Sequence, residues 1–170
     1  MKRWFWLAAA VVAADQLVKW LSEALGRRDI VLIPGVLQFT CTHNTGMAFS
    51  MLSGHSWLLG LLSAGAIALG WWILRRYRLG TFSRLAAMLM LGGAVGNMID
   101  RLFRGYVVDM FEALFVRFAV FNVADAALTV GAGLMAVTLL FCAEDWKPKE
   151  KQEDTEDGTA DGSAADRSEG

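Results

Sequence analysis

The sequence predicts an all-α membrane protein with four transmembrane helices, a small extracytoplasmic β-sheet and a short interfacial helix. Three observations lead to this fold class. The chain of 170 residues is 55% hydrophobic, and its mean hydropathy of +0.41 is too high for an ordinary soluble domain. Four apolar stretches approach the roughly 20 residues that a helix needs to cross a bilayer. The residues after the last stretch are too acidic and too polar to form a core.

The predicted spans cover about residues 4–25, 57–74, 83–99 and 123–143. Each must be a helix, because backbone in lipid has to satisfy its own hydrogen bonds. A cleaved signal peptide is the alternative interpretation of the first span, but its apolar run continues to Leu25, which is too long for such a segment. Small residues in the last two spans predict closely packed helices. These residues are Gly92, Gly93, Gly96, Gly131 and Gly133.

Charge patterning predicts the orientation and the domain boundary. Lysine and arginine near the span ends are more frequent on the side that holds both termini and the 75–84 loop, so this side is expected to be cytoplasmic. Residues 1–143 then form the membrane domain. Residues 144–170 contain ten acidic and four basic residues and are expected to form a disordered cytoplasmic tail.

Two segments on the outer side have their own character. The loop of about residues 29–50 contains Ile30–Ile33, a Pro34-Gly35 turn and a second apolar run, which is typical of short β-strands. A small sheet on the outer membrane face is therefore predicted. The segment 110–120 is amphiphilic and is predicted to lie along the interface as a short helix, with Glu112 and Arg117 toward water.

Asp109 and Asp125 both lie in apolar runs near predicted membrane boundaries. A charged carboxylate is costly at the edge of hydrocarbon, so both are candidates for function. Two carboxylates that share a proton can activate water and protonate a leaving group. Asn122-Val-Ala-Asp125 also has the form of a helix capping box, so the competing interpretation is a structural acid. Asp109 has only apolar neighbours, and no such explanation applies to it.

The first span contains two opposite charges, Asp15 and Lys19. They are four residues apart and therefore lie on one helix face. An internal ion pair that lowers the cost of insertion is favoured over a functional role, although intramembrane charges also mark functional sites.

The third span ends in a second polar group. Asn97 and Arg101 are one helical turn apart, and Asp100 can pair with Arg101 or Arg104. One interpretation is an interfacial charge cap. The other is a group that holds a substrate carbonyl or orients a carboxylate, and the sequence leaves both open. The two histidines and two cysteines are scattered singly, so no metal site is predicted, and Cys41 and Cys142 are expected at opposite membrane faces.

Five short motifs together resemble the lipoprotein signal peptidases, the bacterial signal peptidase II family. They occur in the family's order between Asp15 and Thr129, on the four predicted spans and their loops. The motifs are Asp15-Gln-Leu-Val-Lys19, Asn44-Thr-Gly46-Met-Ala-Phe-Ser50, Gly96-Asn97-Met-Ile-Asp100-Arg101, Val107-Val-Asp109-Met110 and Phe121-Asn122-Val-Ala-Asp125.

The resemblance implies an aspartic endopeptidase with Asp109 and Asp125 as the catalytic pair. It implies that this enzyme removes signal peptides from diacylglyceryl-modified prolipoproteins just before the lipidated cysteine, in the bacterial cytoplasmic membrane, with the site facing outward. No cofactor, metal or nucleic acid is expected; the partners are the prolipoprotein and membrane lipid. Site-shaping or substrate-binding positions are Asn44, Gly46, Asn97, Arg101 and Asn122, and supporting positions are Asp15, Lys19 and Asp100.

Two positions depart from the family pattern. Met47 stands where Ala is common, which predicts a different pocket width, and Ala126 stands where Ser is usual, which removes a hydroxyl beside the pair. The alternative function is non-enzymatic, such as a small proton-coupled transporter or an assembly partner. That class would need polar residues near mid-bilayer in several helices, whereas here the acids cluster at one face.

Overall fold

The computed structural model describes residues 4–26, 28–46, 54–142 and 146–148. Four helices within them are long and apolar enough to cross a membrane, which confirms the predicted spans. The elements in chain order are α1 (Phe5–Leu25), β1 (Ile30–Ile33), β2 (Leu37–Asn44), α2 (Ser56–Arg76), β3 (Tyr77–Leu79), α3 (Thr81–Phe103), β4 (Val107–Ala113), α4 (Val123–Phe141) and β5 (Trp146–Pro148).

Helix α3 is central and packs against the other three helices. Glycine makes this close approach possible: a Cβ added at Gly96 would lie 2.6 Å from Oδ2 of Asp15, and one at Gly93 would collide with the Ala124 carbonyl oxygen. Gly92 and Gly131 make similar approaches to α1 and α3. Four of the five glycines therefore act as predicted. Gly133 differs, because a Cβ there would meet only open space.

The polarity of the bundle is inverted relative to a soluble protein. Large apolar side chains cover its outside, such as Leu140, which is 75% exposed. Charged side chains lie inside, and those of Asp15, Lys19 and Asp100 are fully buried. This arrangement suits a hydrocarbon environment, where exposed charge is costly and buried charge must be paired.

A three-stranded antiparallel sheet lies at the end of the bundle where α3 ends and α4 begins, here called the sheet end. Its strand order is β1-β2-β4, and Thr42 of β2 pairs with Asp109 of β4. Val108 and Met110, on either side of Asp109, are fully buried against Cys41. The sheet therefore confirms the predicted β-structure and holds the Asp109 backbone in a defined register.

The predicted interfacial helix is wrong. Residues 107–113 form strand β4, and residues 114–117 form a turn. Phe111 exchanges two backbone hydrogen bonds with Phe121, at 2.8 and 2.9 Å, and the N–H of Leu114 donates to the Val36 carbonyl at 2.9 Å. Strand β2 supplies backbone hydrogen-bond partners for residues 107–113, and the β-branched and aromatic residues of β4 suit a sheet. These pairings override the weak helical periodicity.

A second small sheet lies at the opposite end of the bundle. Strand β5 pairs with β3, placing Trp146 opposite Leu79, and the rings of Trp146 and Tyr77 are 5.7 Å apart. The sequence predicts that residues 146–148 belong to the disordered tail, whereas in the structure they pair with the connection between α2 and α3. The rest of the predicted tail lies outside the described residues.

Candidate active site

Two asparagine side chains hydrogen-bond to the carboxylate of Asp109. Its side chain lies at the sheet end and the residue is only 3% exposed. The Asn44 side chain (Nδ2) donates to Oδ2 of Asp109 at 3.0 Å, and the Asn122 side chain (Nδ2) donates to Oδ1 at 2.7 Å. Both carboxylate oxygens therefore accept a hydrogen bond, as a buried carboxylate requires.

Asp125 completes the capping box at the start of α4. The backbone N–H of Asn122 donates to Oδ2 of Asp125 at 3.2 Å, and the backbone N–H of Asp125 donates to Oδ1 of Asn122 at 2.9 Å. The capping box predicted for Asn122 and Asp125 is therefore confirmed. However, Oδ1 of Asp125 also accepts from the Asn97 side chain (Nδ2) at 2.7 Å, a contact that capping does not need.

The side chains of Asn97 and Asn122 connect the two carboxylates by hydrogen bonds, and these two asparagines together are called the amide bridge. Asn122 Nδ2 donates both to Asp109 and, at 3.1 Å, to Oδ1 of Asn97, while Asn97 Nδ2 donates to Asp125. Asp109 and Asp125 also line one cavity of about 530 Å³. The two predicted acids, from separate elements, therefore come together at one site.

Burial raises the pKa of Asp109 from the ordinary 3.8 to about 6. The hydrogen bonds from Asn44 and Asn122 oppose this shift, because they stabilise the charged form. The negative charge of Asp125 adds to the increase. The pKa shift means that Asp109 keeps its proton to a higher pH than an ordinary carboxyl group does.

A buried ion cluster supports the amide bridge from the bundle interior. Nζ of Lys19 lies 2.8 Å from Asp15 and 2.8 Å from Asp100, and it donates to Oδ1 of Asn97 at 3.0 Å. Asp15 also accepts from the backbone N–H of Ala124 at 2.9 Å. The predicted Asp15–Lys19 pair is confirmed, and the cluster orients Asn97 so that its amide nitrogen faces Asp125.

Gln16 lies in the first motif of the family resemblance, but the sequence predicts no role for its side chain. Its side chain (Nε2) contacts Oδ2 of Asp15 at 3.3 Å, Oδ1 of Asp100 at 3.2 Å and the Gly96 carbonyl at 3.2 Å. It thus supplies hydrogen bonds to the carboxylates that Lys19 neutralises. The available signal was its position: an amide side chain within an apolar span needs buried partners.

Arg101 lines the cavity with both aspartates. Its guanidinium (Nη2) donates weakly to the Gly46 carbonyl at 3.4 Å, and its Nε is buried without a hydrogen-bond partner in the part of the chain that the structure describes. Asp100 pairs with Lys19 and approaches Arg104 at 3.7 Å. The Gly46 N–H donates to Oδ1 of Asn44 at 2.9 Å, which orients the Asn44 amide toward Asp109.

The cavity reaches from the aspartates to the membrane-facing side of α4. Leu128 and Val130 form part of its wall, and Val130 is 61% exposed on the helix surface. A larger cavity of about 890 Å³ shares Asn44 and Asp109 with it and extends beneath the 114–120 segment. Within the described ranges, no group of three or more His, Cys, Asp or Glu side chains is placed to hold a metal ion. Met47 lies outside those ranges, whereas Ala126 lines the cavity.

A protein-family model described as signal peptidase (SPase) II matches residues 7–141. The chain belongs to the signal peptidase II family. It is 44% identical over 155 residues to a lipoprotein signal peptidase of Geobacillus kaustophilus (strain HTA426), covering 86% of this chain and 99% of that protein. It is 40% identical over 141 residues to one of Listeria monocytogenes serotype 4a (strain HCC23), covering 79% and 90%.

A solved structure described as a bacterial membrane enzyme at 2.3 Å resolution has a similar fold. It superposes with a TM-score of 0.79 at 28% identity and covers 88% of this chain and 94% of that one. Membership of the signal peptidase II family makes the protein a bacterial membrane protease. It does not favour the alternative of a transporter or an assembly partner.

Proposed function

We propose that the protein is an aspartic endopeptidase that removes signal peptides from diacylglyceryl-modified prolipoproteins, cutting just before the lipidated cysteine. The observation that carries the proposal is the meeting of Asp109 and Asp125 in one cavity, joined by the amide bridge. The similarity to lipoprotein signal peptidases supports the substrate class.

The two carboxylates take different roles because their surroundings differ. Asp109, with its pKa raised to about 6 by burial, is the protonated member and donates to the scissile carbonyl oxygen. Asp125, bound by backbone N–H and amide donors, is the ionised member and accepts a proton from the attacking water.

The proposed chemistry balances without a covalent intermediate. The water oxygen bonds to the carbonyl carbon as its proton moves to Asp125, and the Asp109 proton moves to the carbonyl oxygen. The carbon–nitrogen bond of the resulting diol then breaks. Its amine takes the proton from Asp125, and one diol hydroxyl returns a proton to Asp109. The products are a signal peptide with a new carboxyl group and a lipoprotein with a free cysteine amino group.

The position of the cavity suits a substrate held in the membrane. Asp125 is the third residue of α4, so it lies only about 3 Å along the helix axis from the first residue, Val123, at 1.5 Å per residue. The cavity wall continues onto the apolar surface of α4, where acyl chains can lie. A cysteine anchored by two acyl chains would bring the preceding amide to this depth.

The proposed orientation has both termini in the cytoplasm and the sheet end outside. Arg75, Arg76, Arg78, Arg84 and Lys147 lie at the end opposite the aspartates. This excess of basic residues supports a cytoplasmic location for that end.

Cleavage of defined precursors tests the proposed function. The purified protein is incubated with one prolipoprotein, either unmodified or already carrying the diacylglyceryl group. We expect a size decrease only for the modified form, with the new amino terminus at the lipidated cysteine. Mass spectrometry of both products measures the cut. Equal cleavage of both forms would contradict lipid-dependent recognition, and no cleavage of either would contradict the activity.

The pH dependence of kcat/KM tests the role of Asp109, since this parameter reports the free enzyme. A group with a pKa of about 6 that must be protonated loses its proton as the pH rises, so kcat/KM is expected to decline above about pH 6. Asn44→Ala removes a hydrogen bond that stabilises the ionised carboxylate. The pKa of Asp109 then rises further, and the decline is expected at a higher pH.

Gln38→Ala is the matched control for this shift. Gln38 lies on the same strand, but its amide donates to Glu112 at 3.3 Å and not to Asp109. Its profile is expected to overlay that of the unmodified protein. A decline at the same pH in Asn44→Ala would contradict the assignment of the proton to Asp109.

A further inference from the structure

The end of the bundle opposite Asp109 and Asp125 contains a small cavity of about 150 Å³. It lies among the start of α1, the end of α2, strand β3 and the start of α3. Aromatic and apolar side chains form most of its wall. Three arginines, Arg75, Arg78 and Arg84, also line it. A cavity with an apolar wall and several guanidinium groups is suited to the anionic head of an amphiphile.

An apolar groove continues from this cavity along the helices. It has a volume of about 300 Å³ and lies between α2 and α4, over α3. Gly70 and Leu91 contribute to its wall, and Trp71 and Leu74 line both the groove and the arginine cavity. The two spaces therefore adjoin, as the head and chain of one lipid would require.

Two buried donors lack partners at this site. Nε1 of Trp4 and Nε1 of Trp146 have no hydrogen-bond partner among the residues that the structure describes. Trp4 lines the arginine cavity, and Trp146 lines the groove. A buried donor without an acceptor costs about 1–3 kcal/mol. Because both nitrogens are covered by protein atoms, the two indoles contribute to the site through the rings that line its walls.

We infer that this end of the bundle binds one anionic phospholipid, with its phosphate among Arg75, Arg78 and Arg84 and one acyl chain in the groove. The guanidinium of Arg75 stacks on Trp71 at 5.0 Å, which holds a positive charge where cavity and groove meet. With the proposed orientation, the lipid belongs to the inner leaflet. The inference does not depend on the proteolytic activity.

The acidic C-terminal residues are a weaker candidate for the same site. Their carboxylates match the arginines in charge. However, residues 149–170 contain no apolar residue larger than alanine, so they cannot fill a hydrocarbon groove. A phospholipid supplies both the negative charge and the chain.

Lipid retention by the full-length protein tests the inference. The protein is purified in detergent with equal amounts of phosphatidylglycerol and phosphatidylcholine, and native mass spectrometry measures the bound lipid. We expect one phosphatidylglycerol to be retained in preference. Arg84→Gln is expected to weaken this retention about fivefold, which corresponds to about 1 kcal/mol for one arginine near a lipid phosphate.

Arg76→Gln is the matched control for the loss of charge. Arg76 follows Arg75 on α2 but stacks on Trp72 at 4.2 Å and does not line the cavity. Its retention of phosphatidylglycerol is expected to equal that of the unmodified protein. Equal losses in Arg76→Gln and Arg84→Gln would overturn the site. Unchanged thermal unfolding in lipid-free detergent shows that each variant is folded.

A second pair of variants tests the groove. A side chain at Gly70 would meet open space, so Gly70→Leu fills the groove without displacing backbone. Gly65 lies on the same helix with equally open surroundings and does not line the groove, so Gly65→Leu is its control. We expect only Gly70→Leu to lower phosphatidylglycerol retention. Equal retention of phosphatidylcholine, or full displacement of the lipid by inorganic phosphate, would overturn the proposal of a phospholipid.

Discussion

Replacing Asp109 or Asp125 by Asn is expected to lower prolipoprotein cleavage by at least about a thousandfold, the scale of general acid–base catalysis. Asn has nearly the shape of Asp but can neither accept nor deliver the catalytic proton. The measurement is the rate of appearance of the mature lipoprotein, with each variant reconstituted in lipid. Because the two residues act on one proton pathway, the double variant is expected to be no slower than the slower single variant.

Asp29→Asn is the matched control. Asp29 is an exposed carboxylate immediately before β1, and the same substitution there is expected to leave cleavage unchanged. Substantial turnover in both Asp109→Asn and Asp125→Asn would exclude the aspartic mechanism while leaving family membership intact. Loss in only one would assign the essential proton transfers to that residue alone.

Lys19→Met is expected to have the largest effect on stability. The carboxylates of Asp15 and Asp100 each lie 2.8 Å from Nζ of Lys19, so the substitution leaves both of them buried without their cation. Breaking a buried ion pair in this way lowers the free energy of unfolding by about 3–5 kcal/mol. Cleavage is expected to fall as well, because Asn97 loses the donor that fixes its orientation. Thermal unfolding in detergent and the cleavage rate measure the two effects.

The triple variant Lys19→Met, Asp15→Asn and Asp100→Asn tests whether the loss of stability comes from the two buried carboxylates that Lys19→Met leaves without a cation. Removing all three charges relieves the uncompensated burial, so stability is expected to recover in large part. Arg28→Met, at an exposed position, is the control and is expected to change stability by no more than about 0.5 kcal/mol. An unfolding temperature for Lys19→Met equal to that of the unmodified protein would show that the cluster is not structurally important.

The bundle and part of the site were predictable because they depend on local properties. The length of an apolar run and the need for internal backbone hydrogen bonds determine the four helices. The spacing of Asp15 and Lys19 predicts their ion pair, and Asn122-Val-Ala-Asp125 predicts the capping box; the structure contains both. That Asp109 and Asp125 form a pair came from their unusual apolar setting and from the family resemblance.

The remaining features depend on partners that are distant in the chain. Residues 110–113 of β4 differ from the predicted interfacial helix because their backbone partners are distant in the chain: β2 precedes β4 by more than 60 residues, and Phe121 bonds to Met110 and Phe111. Strand β5 could not be predicted from its own residues, because its partner β3 lies in the connection between α2 and α3. The role of Gln16 could not be predicted from the sequence, because two of its contacts, Gly96 and Asp100, belong to α3.

The sequence by itself determined that this is a four-helix membrane protein with acids at one end, since hydrophobicity, helix length and charge placement are properties of each segment alone. Only the tertiary structure decided that Asn97 and Asn122 link Asp109 to Asp125, and that Lys19 neutralises Asp100. Those contacts need side chains from three helices and one strand to meet within about 3 Å, the distance of a hydrogen bond. Such distances depend on how closely the helices pack at Gly93 and Gly96, which no single segment specifies.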